Sequence, residues 1–227
     1  MRVHVTGASG FVGRSLGHAL AAAGHDRSTL EDSQAVVHLA AIAHRRASPD
    51  ELQQVNVDLA VETARKTAAV GARFVFLSSV KVHGEASVTP FREDSPIAPH
   101  DRYAESKARA EEALRAIPGL RLAVLRPPLV YGPGVKANFL ALMKAVARGW
   151  ALPLASVDNR RSLIYVGNLA AAILACLERE GTYLVSDGPA ISTPQLCREL
   201  GAALGRPARL FAFPSALLPR KLAGTLE

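Results

Sequence analysis

The stretch "VTGASGFVG", residues 5–13, constrains the fold more than any other part of the chain. It sets Gly7, Gly10 and Gly13 at intervals of three, directly after the short strand pattern "MRVHVTG". It also opens a segment, 11–23, in which Phe11, Val12, Leu16 and Leu20 fall along one helical face. Each glycine has a distinct use in a strand–turn–helix unit. Gly7 permits the tight turn, Gly10 lets the backbone approach a pyrophosphate, and Gly13 lets the helix pack close to the sheet. An anion held there faces the free N–H groups and the dipole of the helix N-terminus. The run is not a G-x-S-x-G elbow, so Ser9 is not a nucleophile candidate.

The rest of the chain alternates strand and helix. "AVVHLAA", "RFVFLSSV", "LRLAVLR", "SLIYV" and "TYLVSDG" read as strands, several of them continuous apolar runs suited to burial on both faces. Helical patterns cover 52–70, 103–116, 137–148 and 168–179, and Ser192 or Thr193 caps a last helix with Pro194 in its first turn. The expected fold class is α/β: a Rossmann-like parallel sheet flanked by helices, with a small, short C-terminal substrate lobe. Residues 1–128 plus 162–180 read as the dinucleotide-binding domain, and 129–161 plus 181–227 as a partial substrate lobe.

Composition narrows the function classes. The net charge is +7, which suits phosphate-bearing ligands, yet only 5% of residues are aromatic and no basic stripe is interleaved with stacking side chains. Nucleic acid is therefore not an expected partner. Apolar runs are far below spanning length and Arg2 and His4 sit inside a strand pattern, so no membrane partner is expected and the cytoplasm is favoured. Cys176 and Cys197 match no metal spacing and read as core residues; no metal is expected.

Tyr103 and Lys107 lie four apart in a helical pattern, which brings their Cβ atoms within about 5–6 Å. An ammonium beside a phenol favours the phenolate and would prepare Tyr103 for proton transfer. Ser79 stands at the C-terminal end of a strand, where ligands bind in open α/β sheets. Taken alone, such a Tyr–Lys pair is a common helix-surface feature. With the glycine loop upstream and "SSVKVHG" before it, the three residues read as a catalytic set.

On "VTGASGFVG", "VVHLAA", "VNVD", "FVFLSSVKVHGE", "YAESKARAE", "LRPPLVYGPG" and "RRSLIYVGNLA", the chain resembles the extended short-chain dehydrogenases/reductases of the nucleotide-sugar epimerase/dehydratase family. It is most similar to the branch of bacterial UDP-sugar 4-epimerases and 4-keto-sugar reductases of surface-polysaccharide synthesis. The resemblance implies NAD as cofactor, with NADP open, a nucleotide-sugar substrate and a homodimer. It implies that Ser79, Tyr103 and Lys107 are catalytic, and that Gly7, Gly10, Phe11, Val12, Gly13, Ala40, Ser78 and Lys107 bind the cofactor. It further implies that Asn138 and Arg161 meet the nucleotide diphosphate, for which a guanidinium is well shaped. His83 replaces a usual tyrosine and Leu129 a usual asparagine, so neither receives a role. The implied activity is 4-epimerisation by reversible hydride transfer at sugar C4. A 4-keto-sugar reductase and a catalytically incomplete NAD-binding module are the alternatives.

Between the first helix and "AVVHLAA" the chain is shorter than the resemblance requires, over 25–34. On one alignment "RSTL" is the second strand and Glu31 the acid that binds the adenosine ribose. A parallel crossover normally needs a dozen or more residues, and 31–35 are too few to bring the chain back to the start of the next strand. The alignment preferred on distance makes "TLEDSQ" the tail of the helix before "VVHLAA" and leaves the second strand, its helix and the third strand absent.

Overall fold

A computed structural model describes residues 1–43 and 47–214. The elements run β1 (Arg2–Thr6), α1 (Phe11–Ala22), β2 (Asp26–Arg27), β3 (Ala35–His38), α2 (Pro49–Leu52), a π-helical stretch (Gln53–Asp58), α3 (Leu59–Ala69), β4 (Arg73–Leu77), a 3-10 turn (Val80–His83), α4 (Arg102–Arg115) and β5 (Arg121–Arg126). They continue as β6 (Leu129–Tyr131), α5 (Ala137–Ala147), β7 (Ala151–Leu152), β8 (Leu163–Tyr165), α6 (Val166–Cys176), β9 (Gly181–Leu184), α7 (Thr193–Ala203) and β10 (Arg209–Leu210). The chain forms two units: Met1–Gly132 with Ile164–Ser186, and Pro133–Leu163 with the described residues from Asp187 on.

In the first unit six parallel strands are ordered β2-β1-β3-β4-β5-β9. The strand period of two explains why these segments are apolar throughout. Val37, Val75 and Leu125 point to one face, where they meet Leu16 and Leu20 of α1 and Leu169 and Ile173 of α6. Val36, Phe74, Phe76 and Val124 point to the other, against Ala60 and Ala64 of α3 and Ala110 and Leu114 of α4. Gly181–Leu184, read from sequence as part of the second lobe, pairs with β5 and belongs to this sheet.

The short segment before β3 departs from both alignments. "TLEDSQ" forms no helix, and "RSTL" is not the strand: the second strand is Asp26–Arg27, paired with Arg2 and Val3 at the N-terminal end of β1. Because β2 stops so low, the chain need not travel back down the sheet before crossing. It passes over the His4 face of β1, with Ser28 O 3.1 Å from His4 Nδ1 and Leu30 packed on the Phe74 cluster. It is then received by Arg2, whose carbonyl accepts from Gln34 N at 2.8 Å and whose Nε donates to Asp32 O at 2.7 Å. The reach objection thus applies to a full-length second strand and is met here by truncating it. Nothing equivalent to the usual third strand and its preceding helix intervenes between β2 and β3.

The helix expected over 52–70 is broken by its π-helical stretch. There buried Asn56 grips Ile42, accepting from its N–H at 2.7 Å and donating to its carbonyl at 3.1 Å. The same amide donates to Ser106 Oγ of α4 at 2.8 Å.

The second unit has its own small core of Val146, Leu152, Leu154 and Cys197. Ser192 caps α7, accepting from Gln195 N at 3.2 Å, with Pro194 in the first turn as its sequence predicts. Both cysteines are buried. The predicted lobe's residues 215–227 lie outside the described residues.

Candidate functional site

The C-terminal ends of β1, β3 and β4 lie side by side, at the point where the chain changes direction across the sheet. Ligands bind at such a switch point in open α/β sheets. At β1 the glycine turn closes with Gly10 N donating to Gly7 O at 3.0 Å. Gly7 has φ +69°, and a Cβ there would meet Ala40 N at 2.8 Å. A Cβ on Gly13 would lie 2.4 Å from Gly7 O and 2.6 Å from Ala8 O, so Gly13 packs against the turn itself. Gly10 caps α1 without a side chain, the first turn carries no acid, and Arg14 donates to Ser9 O at 2.7 Å. This bare, positively biased cradle fits a pyrophosphate. Phe11, Val12 and Ala40 flank it, half-buried. Gly13→Ala is expected to force the turn apart and destabilise the chain by about 1–3 kcal/mol, read as a thermal midpoint several degrees lower. An unchanged melt would show that the turn yields freely.

Ser79, at the end of β4, caps the 3-10 turn, and its Oγ accepts from Lys81 N at 3.3 Å. Tyr103, in the first turn of α4, faces Ser79 with its phenol, and the serine hydroxyl favours the phenolate. Lys107 follows one turn later and is buried, 2% exposed, with Nζ 4.4 Å from the centre of the Phe76 ring. The three predicted residues therefore converge.

Their electrostatics differ from the expectation. The phenol of Tyr103 is pushed up to about 12, first by burial and then by the Asp101 carboxylate, against the pull of the Ser79 hydroxyl. Lys107 falls to about 7 because burial penalises its charge more than Glu111 supports it. The lysine thus does not lower the phenol as its spacing suggests. Beneath it His38 is buried between Phe74 and Phe76 and falls to about 3, by burial and then by the Lys107 charge. Its Nδ1 lies 3.1 Å from Thr6 Oγ1.

Ser78, expected in the cofactor site, turns its hydroxyl inward and donates to Glu111 Oε1 at 2.5 Å. Glu111 also accepts from Arg126 Nε at 3.0 Å and Nη2 at 2.6 Å, and from Arg115 at 2.9 Å. Burial opposes its charge, but these donors hold the carboxyl below its ordinary range. Arg126 Nη1 reaches His83 Nε2 at 2.8 Å, and His83 Nδ1 lies 3.0 Å from Pro96 O. A neutral ring that accepts from Arg126 and donates to Pro96 satisfies both contacts. The histidine that replaces a tyrosine thus holds the following loop. Asn56, Glu111, Arg126, Lys81 and Asp101 all support the set, and sequence reasoning missed their roles; all but Asp101 lie in the quoted "VNVD", "YAESKARAE", "LRPPLVYGPG" and "SSVKVHG" runs.

In the second unit, Asn138 is exposed in the first turn of α5, next to Ala137 at φ +55°. Arg161 forms a two-way backbone bridge with Ile191 at 2.8 and 2.9 Å. Leu129 is exposed in the first unit. Among the described residues no cluster of His, Cys, Asp and Glu could hold a metal ion, and no helix is long and apolar enough to cross a membrane.

A family model described as the NAD dependent epimerase/dehydratase family matches residues 27–185. The chain is 38% identical over 213 residues to a UDP-glucose 4-epimerase of Vibrio cholerae, an alignment covering 87% of this chain and 64% of that protein. It is 30% identical over 199 residues to a dTDP-4-dehydrorhamnose reductase of Mycolicibacterium smegmatis, covering 78% of this chain and 60% of the relative. It spans less than two thirds of the length of either. Its fold matches the Thermus thermophilus UDP-glucose 4-epimerase, solved in complex with NAD, with a TM-score of 0.78 at 23% identity, over 100% of this chain and 94% of that one.

Proposed function

Because the chain belongs to the NAD-dependent epimerase/dehydratase family, we propose that it binds NAD and acts on a UDP-sugar as a 4-epimerase. The observation that carries this reading is the placement of Ser79 and the Tyr103 phenol against each other, with Lys107 one turn away, at the sheet edge that also bears the glycine turn. The cofactor would supply the acceptor and donor of a hydride. Gly7, Gly10 and Gly13 would hold its pyrophosphate, with Ala40 and Lys107 toward its nicotinamide end. Tyr103 takes the proton of the sugar hydroxyl, and Ser79 holds the same oxygen. The buried Lys107 supplies positive charge when protonated and limits access of water.

A reductase of 4-keto-sugars uses the same residues and is the second reading, supported by the likeness to a dTDP-4-dehydrorhamnose reductase. Incubation with UDP-glucose and NAD separates the two. Appearance of the C4 epimer without net cofactor consumption supports the epimerase. Stoichiometric NADH oxidation on a 4-keto-sugar, with no epimer, overturns it. For the nucleotide diphosphate the reading keeps Asn138 and Arg161. Arg161→Ala should raise KM for the nucleotide sugar more than it lowers kcat, since a diphosphate contact is largely uniform binding. A pure kcat effect at constant KM would contradict that role.

A further inference from the structure

We propose that Lys81 and Asp101 form a charge pair that governs the ionisation of Tyr103, which makes both of them positioning residues of the site. The inference rests on the reading of Tyr103 as the proton-transfer group. Lys81 bridges the two halves of the set. Its main-chain N–H donates to Ser79 Oγ at 3.3 Å, and its ammonium donates to Asp101 Oδ2 at 2.8 Å. Asp101 is the N-cap of α4, two residues before Tyr103. Its Oδ1 accepts from Ala104 N at 2.7 Å, and the nearby main-chain N–H of Tyr103 also favours the carboxylate. One anion is thus fixed at the start of the phenol's own helix turn, with its counter-cation carried by the segment that carries Ser79.

The electrostatics agree with this geometry. Burial does most to keep the phenol neutral, and Asp101 adds to it. Burial opposes the charges of Asp101 and Lys81, yet their mutual bond outweighs it, holding the acid below and the amine above their ordinary ranges. Glu85, 3.4 Å from Lys81, also supports the ammonium.

The other groups around Tyr103 are accounted for. Ser79 is neutral. Lys107 lies on the same helix over Phe76, where its charge acts on His38 of β3. Arg126 of β5 is bound by Glu111, and the π-helical stretch packed on α4 presents neutral Asn56 to Ser106.

The pair has consequences of opposite sign. Lys81→Met leaves Asp101 uncompensated and makes the phenolate harder to form. Asp101→Asn removes the anion while keeping an equally good N-cap acceptor, and makes it easier. Lys81 is 45% exposed, so the methionine is accommodated.

The test labels the full chain with 3-fluorotyrosine, whose phenol ionises at lower pH. The Tyr103 signal is followed by fluorine NMR and assigned by its loss in Tyr103→Phe. Lys81→Met should titrate at higher pH, with on the order of tenfold less phenolate at a given pH, and Asp101→Asn at lower pH by a similar factor. The double variant should follow Asp101→Asn, and the pH profile of kcat/KM for UDP-glucose should move in the same directions. Displacement of both variants in one direction, or of neither, overturns the proposal. A purely structural role would lower thermal midpoints without this opposition. Full turnover by Tyr103→Phe would remove the assignment of the phenol to catalysis, while the NMR shifts would still report on the charge pair.

Discussion

Tyr103→Phe should lower turnover of a UDP-sugar by at least about a hundredfold, the usual scale of positioned acid–base catalysis. The substitution keeps the ring, so packing around the start of α4 is retained. It removes the oxygen that faces Ser79, a polar contact worth at most about 1 kcal/mol of stability. A chain that still melts cooperatively and still binds NAD, yet has lost turnover, isolates the proton-transfer step. The effect should fall on kcat and kcat/KM together, because the phenol oxygen matters most as the sugar hydroxyl loses its proton. Undiminished turnover would remove Tyr103 from the mechanism.

The phenol's own state adds a condition. At about 12 it is almost wholly protonated near neutral pH, and Lys107, at about 7, is only partly charged there. The spacing of Tyr103 and Lys107 forecasts a lowered phenol because it considers only the charge. Burial acts on both groups and favours the neutral form of each. Catalysis through Tyr103 therefore needs a change in this balance when ligands are present. The Asp101–Lys81 pair is the part of the balance that two exposed or capping residues can move.

What is legible in the sequence is local. The glycine turn, the Tyr103–Lys107 interval and Ser79 at a strand end depend on spacings of a few residues and a strand–helix rhythm. Two-faced burial reads directly from runs such as "AVVHLAA" and "RFVFL". The supports of the site are long-range: Glu111 meets Ser78 across thirty-three positions and Arg126 across fifteen. No periodicity reports such pairs. The π-helical stretch escapes notice because its apolar pattern continues through the break. β2 escapes because two exposed residues, Asp26 and Arg27, make no strand pattern. Its place is decided by backbone bonds to Met1 and Val3, more than twenty positions away.

That truncated strand leads to the second large expected effect, weak NAD binding. Arg27 stands opposite Val3, three residues short of Thr6, so β2 ends about 10 Å below the glycine turn at 3.3 Å per residue. Glu31 follows in an exposed turn, before the chain reaches Gln34 at the level of Arg2. Its charge is felt by Lys66 near the C-terminal end of α3, which leads to the start of β4. Glu31 therefore lies toward the N-terminal edge of the sheet, and the pyrophosphate cradle lies at the C-terminal edge. Among the described residues no strand carries a carboxylate up to where an adenosine ribose would lie. A hydrogen bond to a charged group contributes about 1.5–3 kcal/mol, and about 1.4 kcal/mol is a tenfold change in Kd. NAD should thus bind at least one to two orders of magnitude more weakly than in a protein whose second strand delivers that acid. Glu31→Gln should change the affinity less than about twofold, within the range expected for removing a distant surface charge. Calorimetry on the chain and the variant reads both. Tight, low-micromolar binding that Glu31→Gln abolishes would mean that the segment after β2 rises to the cofactor, and that the crossing held by Arg2 and Gln34 is not its bound arrangement.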